Sequence, residues 1–416
     1  MQKAETLRQV YNVFNPQKYL QQDTKEFYVD IYKEFTDDLS LRLELSEGEE
    51  TIFVAGQSGN GKSSALQLLS TNYPQLGNYY DIKVLNARDI FDTNNIDVAD
   101  VLLMMGYTIV EDNVELKKEF FDILDTMKKL KEDEIEYSKE KLLKENVAEE
   151  GILKSKMSLN FGFLSAGMNF KDTFKIDNQN KKIIRELVKV KKKDFIDQIN
   201  QIILKYKREV LKEQKRLLLI IDDIEKITDS DGIFTEEINT LLQINCSKII
   251  TMPIHLKRMR TFAGYDAKEI SFKLKTKNNE YIEENIEKLE NIIDARLENK
   301  ALIDADAKRL ITLKSGGNIR QLVKIVKEAS LKAVMNTSDS ISLYDVESAI
   351  QSIKRDYSAA SMEIKEFLEY IKEHKNPKDS SDDSIKKLKI ATKESLIYAY
   401  YNGELWFDLN PIILND

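Results

Sequence analysis

The 416-residue sequence contains one cysteine and two histidines, and it has no long apolar run. The single cysteine, Cys246, excludes an internal disulfide and indicates a reducing compartment. So few nitrogen and sulfur ligands leave no structural zinc site. No run approaches the length of a membrane span, and the first residues contain no apolar signal segment. We therefore expect a cytoplasmic protein that has no membrane partner.

The sequence also lacks an excess of positive charge. It has 63 lysines and arginines against 71 aspartates and glutamates, which gives a net charge of −8. This balance argues against a general nucleic-acid-coating protein, because such proteins present broad basic surfaces. Contact with DNA would need a local basic patch. With 32% charged and 42% apolar residues, the chain is long enough for two or three helix-rich domains.

The strongest motif in the sequence is TIFVAGQSGNGKSS, at residues 51–64. Its first five residues are apolar or β-branched and predict a buried strand, and an amphipathic helix follows it. Between them, residues 56–63 match G-x-x-x-x-G-K-[ST], in which glycines let backbone amides wrap a phosphate chain. Lys62 would reach the β- and γ-phosphates, and the Ser63 hydroxyl would bind Mg²⁺. The predicted ATP-binding residues are Gly56, Gln57, Ser58, Gly59, Asn60, Gly61, Lys62, Ser63 and Ser64.

A second motif places acidic residues directly after an apolar run. The segment from Arg216 to Asp222 predicts a central parallel strand, buried on both faces, that delivers carboxylates at its carboxyl end. We assign Asp222 to Mg²⁺, through its water shell, and Asp223 to polarising the attacking water. Glu225 is the alternative for the second role.

Two further polar positions fit the same kind of site. A strand is predicted at 248–253, and Thr251 is the polar residue near its end. Some P-loop proteins have an additional strand between the P-loop strand and the acidic strand, and a polar residue at this position senses the γ-phosphate. Thr251 fits that position. Residues 315–322 (SGGNIRQL) open a helix, with two glycines for the turn and Asn318 as its cap. Arg320 is poorly placed for its own helix dipole, so we predict that it points at an external anion. The predicted catalytic residues are Lys62, Asp222, Asp223, Thr251 and Arg320, and the predicted metal ligands are Ser63 and Asp222.

The chain order predicts three domains: a P-loop core at 1–275, a helical lid at 276–357 and a winged-helix-like domain at 358–416. A charged stretch followed by a Gly- and Phe-rich stretch marks 113–176 as an insertion in the core. Near the C-terminus, two strand-like runs joined by Asn402-Gly403 predict a β-hairpin with a type I′ turn. This last domain has more acids than lysines and no arginine, so protein contact or autoinhibition fits it at least as well as DNA binding.

Two local interpretations stay open on the sequence alone. Phe27 and Tyr28 could flank an adenine ring, although plain packing against the nucleotide domain is favoured. Arg258 and Arg260 follow the Thr251 strand and are candidates for an arginine finger that enters a neighbour's site; the alternative is that they are ordinary surface arginines.

Taken together, the P-loop at 56–63, Asp222-Asp223, Thr251 and the GGNIR segment at 316–320 resemble the AAA+ ATPases and the related STAND ATPases. The arrangement is most similar to the origin-recognition initiator type, which carries a helical lid and a C-terminal winged helix. This resemblance implies an α/β fold with a parallel P-loop sheet, a lid arginine (Arg320) that touches the γ-phosphate, and ATP-driven ring or filament assembly. Asp222-Asp223 replaces the Asp-Glu pair that is usual in AAA+ ATPases. This difference favours a resemblance to STAND or bacterial defence ATPases. The 113–176 insertion matches no part of the family that we can name.

These patterns predict a Mg²⁺-dependent ATPase that couples ATP hydrolysis to assembly with itself, with DNA or with a partner effector protein. A homo-oligomer is expected, and family analogy extends to prokaryotic defence against phage. One alternative is a nucleotide-gated binding or scaffold module with slow or absent hydrolysis. Another is a DNA-loading factor of the initiator or transposition-regulator type.

Overall fold

A computed structural model describes residues 2–18, 20, 22–87, 97–127, 129, 185–186, 188–226, 231–259, 262 and 264–414. Most of the predicted 113–176 insertion lies outside these ranges, and so does Arg260. The chain divides into two compact units. The first consists of Met1–Ser46, Ile52–Leu76 and Thr251–Asp416, and the second consists of Glu47–Thr51 and Gly77–Ile250. In the described ranges, no helix has the length and apolarity needed to cross a membrane.

The central feature of the fold is a five-stranded sheet in the order β2-β3-β4-β1-β5. Parallel pairing joins β1 to β5, β2 to β3 and β3 to β4. The order places β4 between β3 and β1, which is where the additional strand was predicted. This arrangement confirms the predicted α/β P-loop fold class. The strand bounds are β1 Thr51–Ala55, β2 Tyr80–Asn86, β3 Arg216–Asp222, β4 Ser247–Met252 and β5 Ala267–Glu269.

The second unit is built around strand β3. Its residues from Leu217 to Asp222 are all buried, as expected for a central parallel strand covered on both faces. A helix of thirteen residues, Val98–Val110, is also buried along its whole length. Gly106 of this helix allows the ring of Phe120 to approach so closely that a Cβ would lie 2.5 Å from it. The helices of this unit are α5 Leu76–Tyr79, α6 Val98–Val110, α7 Lys192–Lys205, α8 Asp231–Thr235 and α9 Ile238–Leu242, together with the helical residues 114–127.

The first unit carries the P-loop and a group of lid helices. Before and after the P-loop strand lie α1 Leu7–Val13, α2 Lys33–Leu45, α3 Lys62–Gln67 and α4 Leu69–Asn72. The lid helices are α10 Glu283–Asp294, α11 Ala305–Ser315, α12 Ile319–Met335 and α13 Leu343–Lys354. Two of them begin at side-chain caps: Asn318, the predicted cap, accepts a hydrogen bond from Gln321 N, and Ser342 forms a capping box with Asp345. These four helices lie in the range 276–357 that was predicted to form the helical lid.

Helices and a hairpin follow the lid, in the arrangement predicted for a winged helix. They are α14 Ser358–Glu363, α15 Lys365–His374, α16 Asp382–Lys393, β6 Ile397–Tyr401 and β7 Leu405–Leu409. The predicted type I′ turn is wrong. Tyr401 pairs with Leu405, so Glu404 joins the loop, and Gly403 has φ +94° while Asn402 keeps a negative φ. A three-residue loop needs only one left-handed position, which glycine supplies.

A buried ion-pair group fixes the hairpin in place. Asp408 of β7 is 2% exposed, and its two carboxylate oxygens each lie 2.7 Å from an ammonium nitrogen, one from Lys275 and one from Lys375. A second pair, between Lys277 and Glu404, is solvent-exposed, since the Glu404 side chain is 60% accessible. The two pairs join the same hairpin to neighbouring residues in very different environments.

Replacing Asp408→Ala is expected to lower the free energy of unfolding by about 3 kcal/mol, because two partly buried ammonium groups lose their partner. The control Glu404→Ala should cost less than about 1 kcal/mol, because its pair is screened by water. Urea denaturation followed by Trp406 fluorescence measures both, since this only tryptophan is buried in the same hairpin. Equal effects of the two substitutions would contradict the assignment of Asp408 as the buried anchor.

Candidate nucleotide-binding site

The P-loop begins where strand β1 ends, and its shape depends on two glycines. Gly59 and Gly61 have φ values of +90° and +85°, a region that residues with a Cβ rarely adopt. Helix α3 starts immediately afterwards, at Lys62. At the entrance, Gly56 N lies 3.5 Å from Met252 O of β4. The loop therefore has the strand–turn–helix geometry that the motif requires.

The Lys62 ammonium group lies inside the curve of this loop. Its nitrogen donates to Gly56 O at 2.7 Å and to Gln57 O at 3.2 Å, and the residue is 3% exposed. A buried ammonium group held against backbone carbonyls is a strong attractor for an anion, because phosphate oxygens accept charge-assisted hydrogen bonds. The lysine that was predicted to bind phosphate thus lies within the loop, against the carbonyls of its first two residues.

The turn that opens the lid helix α12 packs directly on the P-loop. Arg320 Nη1 donates to Ser58 Oγ at 2.7 Å, and Arg320 N donates to Gly59 O at 3.0 Å. The Asn318 side-chain nitrogen donates to Ser58 O at 2.9 Å and to Asn60 Oδ1 at 3.1 Å. Two residues that were identified from the sequence as a helix cap and an anion-directed arginine therefore contact the loop in the same place.

Glycine makes this close packing possible. A Cβ on Gly59 would lie 2.5 Å from Asn318 Oδ1 and 2.8 Å from Arg320 Cβ. A Cβ on Gly61 would lie 2.7 Å from the Ile319 side chain. All three distances are shorter than ordinary van der Waals contact. The P-loop glycines thus serve the backbone conformation and the approach of the lid at once.

The N-terminal segment covers another side of the loop. The Tyr32 hydroxyl donates to Asn60 O, and its ring stands edge-on to Phe272 at 6.0 Å. Burial raises the pKa of the Tyr32 hydroxyl, so the group stays a neutral donor. Phe27 is 1% exposed, in agreement with the packing role that was favoured for it. Tyr28 donates its hydroxyl to Asp30 Oδ1 at 3.2 Å.

The predicted acids lie in the second unit, at the end of β3. Asp222 and Asp223 are both fully buried, and Asp222 Oδ1 accepts from Asp223 N at 2.8 Å. Asp223 has φ +66°, a left-handed conformation that is unusual for a residue with a side chain, and its carboxylate forms an ion pair with Lys226. Carboxylate oxygens of Asp222, Asp223 and Glu225 lie within 4.8 Å of one another. Such an all-oxygen donor set suits Mg²⁺, which prefers hard oxygen ligands.

The remaining predicted residues take the following places. Thr251 is fully buried at the carboxyl end of β4, next to the residue that receives the Gly56 hydrogen bond. Arg258 is half-buried, and its guanidinium donates to Asn376 Oδ1 at 3.3 Å. Ser63 is buried, and Ser64 Oγ accepts from Leu20 N at 3.2 Å. The first unit thus brings together the P-loop, Thr251 and Arg320, while Asp222 and Asp223 belong to the second unit.

Several contacts of the site were not predicted from the sequence. The Tyr32 hydroxyl bond and the Lys226 ion pair are examples. Lys226 could have been found from its spacing, because a lysine three residues after Asp223 can reach it across one helical turn. Tyr32 carried no comparable signal, since its contact joins residues far apart in the chain.

No protein-family model matches the chain, and no curated protein matches it either. Several solved structures are similar to it, including the following three. Drosophila ORC bound to DNA is 10% identical, with 99% of this chain and 91% of that chain covered and a TM-score of 0.44. The Aeropyrum pernix ORC2 protein in ADPNP-ADP complexes is 13% identical, with 97% and 94% covered and a TM-score of 0.44. The Cdc6p protein of Pyrobaculum aerophilum is 10% identical, with 96% and 94% covered and a TM-score of 0.41. All three TM-scores lie below 0.5, so these similarities carry no argument about function.

Replacing Gly59→Ala is expected to lower the free energy of unfolding by about 1–3 kcal/mol, because it adds left-handed strain and a clash with Asn318. Gly264→Ala is the matched control, since a Cβ there meets nothing within 4 Å, and its effect should stay within about 0.5 kcal/mol. Chemical denaturation of the two variants and the wild type measures both. If the Gly59 variant were as stable as the control, the close packing of lid and loop would be refuted.

Proposed function

We propose that the chain is a Mg²⁺-dependent ATPase that binds ATP at residues 56–64 and hydrolyses it. The observation that carries this proposal is the loop itself: two left-handed glycines, a buried Lys62 ammonium inside the curve, and a lid arginine bonded to the loop through Ser58. A polyphosphate is bound by backbone amides that converge on it and by cations close to its oxygens. The glycine-rich loop would supply the amides, and Lys62 and Arg320 would supply the two cations.

The roles follow from the chemistry of the side chains. Lys62 orients the β- and γ-phosphates, and Thr251 and Arg320 respond to the γ-phosphate. Ser63 and Asp222 are the proposed Mg²⁺ ligands, and the bound ion neutralises phosphate charge. Asp223 polarises the attacking water, a role that requires an ionised carboxylate. In the structure this carboxylate forms an ion pair with Lys226.

We propose that the cycle of ATP binding and hydrolysis controls the assembly of this protein with a partner. The partner would be a second copy of the chain, DNA or an effector protein, and a role in prokaryotic defence rests on the resemblance of the motifs alone. Of the two candidates for an arginine finger, Arg258 is the one that lies within the described residues. To act on a neighbour it would have to leave its contact with Asn376.

A second candidate function is a nucleotide-gated switch with slow hydrolysis. Two observations favour it: the lid turn bonds the P-loop through Asn318 and Arg320, and Asp223 is held in an ion pair with Lys226. A bound nucleotide would then act mainly by changing which groups hold the loop, since a ligand shifts an equilibrium by its differential affinity for the two states.

Replacing Asp223→Asn separates the two functions. In an ATPase, turnover should fall roughly 100-fold or more, because the group that polarises water is lost, while nucleotide affinity is kept. Phosphate release under saturating ATP and Mg²⁺, with affinity from isothermal titration, gives both quantities. Lys62→Ala is the control that should lose binding itself.

An Asp223→Asn rate equal to a slow wild-type rate, with intact binding, would refute hydrolysis by this acid and support the switch. A wild-type chain that shows no saturable ATP binding would overturn both functions.

A further inference from the structure

Gln57 occupies a variable position of the P-loop motif, yet its side-chain amide forms three hydrogen bonds. Its amide nitrogen donates to Thr392 O at 3.1 Å and to Ile397 O at 2.6 Å, and its amide oxygen accepts from Ala399 N at 3.1 Å. The residue is 2% exposed. All three partners are backbone groups of the C-terminal helix–hairpin segment, α16 to β6. The P-loop is therefore hydrogen-bonded to the part of the chain that was predicted to be a winged helix.

The geometry of this contact is that of a strand partner. The carbonyl of Ile397 and the N–H of Ala399 point to the same side of strand β6, because backbone groups two residues apart do so in an extended chain. One primary amide, with a donor and an acceptor on the same carbon, satisfies both groups. The other edge of β6 pairs with β7. The Gln57 side chain thus acts as a short extra strand on the open edge of the hairpin.

The same strand also contacts the lid turn. The Tyr400 hydroxyl donates to Gly316 O at 2.6 Å, and the Tyr398 ring lies so close to Gly316 that a Cβ there would be 2.6 Å away. Gly316 begins the turn that carries Asn318 and Arg320 to the P-loop. Strand β6 is therefore bonded both to the nucleotide-binding loop and to the turn that covers it.

We propose that strand β6 is a nucleotide-controlled latch, in which Gln57 couples the state of the P-loop to docking of the C-terminal hairpin. The nucleotide dependence rests on the function proposed above. Lys62 now bonds the carbonyls of Gly56 and Gln57, and phosphate oxygens compete for that ammonium. When phosphate takes the ammonium, the Gln57 carbonyl keeps only its 3.3 Å hydrogen bond from Asn60 N. The backbone at Gln57 can then reorient, which breaks the side-chain contact with β6. ATP then favours the undocked hairpin, and by linkage an undocked hairpin favours ATP by the same factor.

Gln57→Glu tests the latch directly. The carboxylate keeps one acceptor for Ala399 N but turns an oxygen towards two backbone carbonyls that need a donor. The matched control is Gln351→Glu, the same substitution at an exposed position of helix α13. Tyr400→Phe is a milder second variant, because it removes one hydroxyl hydrogen bond outside the P-loop and leaves the ring in place.

The readout is the distance between two labels on the full-length chain. Asp339→Cys in the lid and Lys386→Cys on helix α16 are both at exposed positions. The native Cys246 is fully buried, and burial raises the pKa of its thiol to about 11, so it does not compete for labelling. Pulsed spin-label spectroscopy then gives the distribution of docked and undocked chains, with circular dichroism as the check on folding.

Without nucleotide, Gln57→Glu should raise the undocked-to-docked ratio by at least roughly tenfold, because three buried hydrogen bonds are affected. Tyr400→Phe should raise it less, and Gln351→Glu should leave it unchanged. ATP with Mg²⁺ should move the wild type in the same direction, and Tyr400→Phe should bind ATP more tightly by the factor that it loosens docking.

A Gln57→Glu distribution identical to that of the wild type would overturn the latch. So would a Tyr400→Phe chain that undocks with no change in ATP affinity. A wild-type chain that does not bind ATP would overturn the proposed function separately, since the nucleotide-free effect of Gln57→Glu does not depend on it.

Discussion

The first unit depends on the absence of side chains at a few glycines where the P-loop and the lid turn meet. Gly59 and Gly61 let the lid residues Asn318 and Ile319 come within distances that no Cβ would allow. Gly317 of the same turn packs as closely against the backbone of Phe272, where a Cβ would lie 2.0 Å from the carbonyl oxygen. In these contacts the lid residues touch the backbone of the P-loop directly. A shift of that backbone would therefore displace the lid residues that pack on it.

Hydrogen bonds connect the P-loop to the segments around it. Arg320 bonds Ser58, Lys62 bonds the loop's own carbonyls, and Gln57 bonds strand β6, all within the first unit. A buried hydrogen bond is worth little net energy when made and costs more when one partner is left unsatisfied. A site held together in this way therefore changes state when a better partner arrives, and a polyphosphate offers several strong acceptors at once. In the functions proposed above, the same property lets the site bind a nucleotide and act as a switch.

The sequence predicted the local elements well, because each has a local cause. The apolar run of β3, the glycine spacing of the P-loop and the Asn318 cap depend on residues that are close in the chain. The place of β4 between β3 and β1 followed from the assignment of Thr251 to an additional strand. What could not be predicted were contacts between distant segments, such as Gln57 with β6 or Tyr32 with Asn60, since no periodicity encodes them. The type I′ turn failed because one further residue, Glu404, entered the loop and removed the need for two left-handed positions. The proposed domain limits and catalytic roles stay predictions.

The most direct test of the account is the affinity of the chain for ATP and for ADP, each with Mg²⁺, in the wild type and in Arg320→Ala. Isothermal titration of the full-length protein measures all four values. We predict that the wild type binds both nucleotides and prefers ATP, and that Arg320→Ala keeps its ADP affinity but loses that preference. An absence of saturable nucleotide binding by the wild type would contradict the central claim. An ATP preference that survives in Arg320→Ala would contradict the role of the lid arginine.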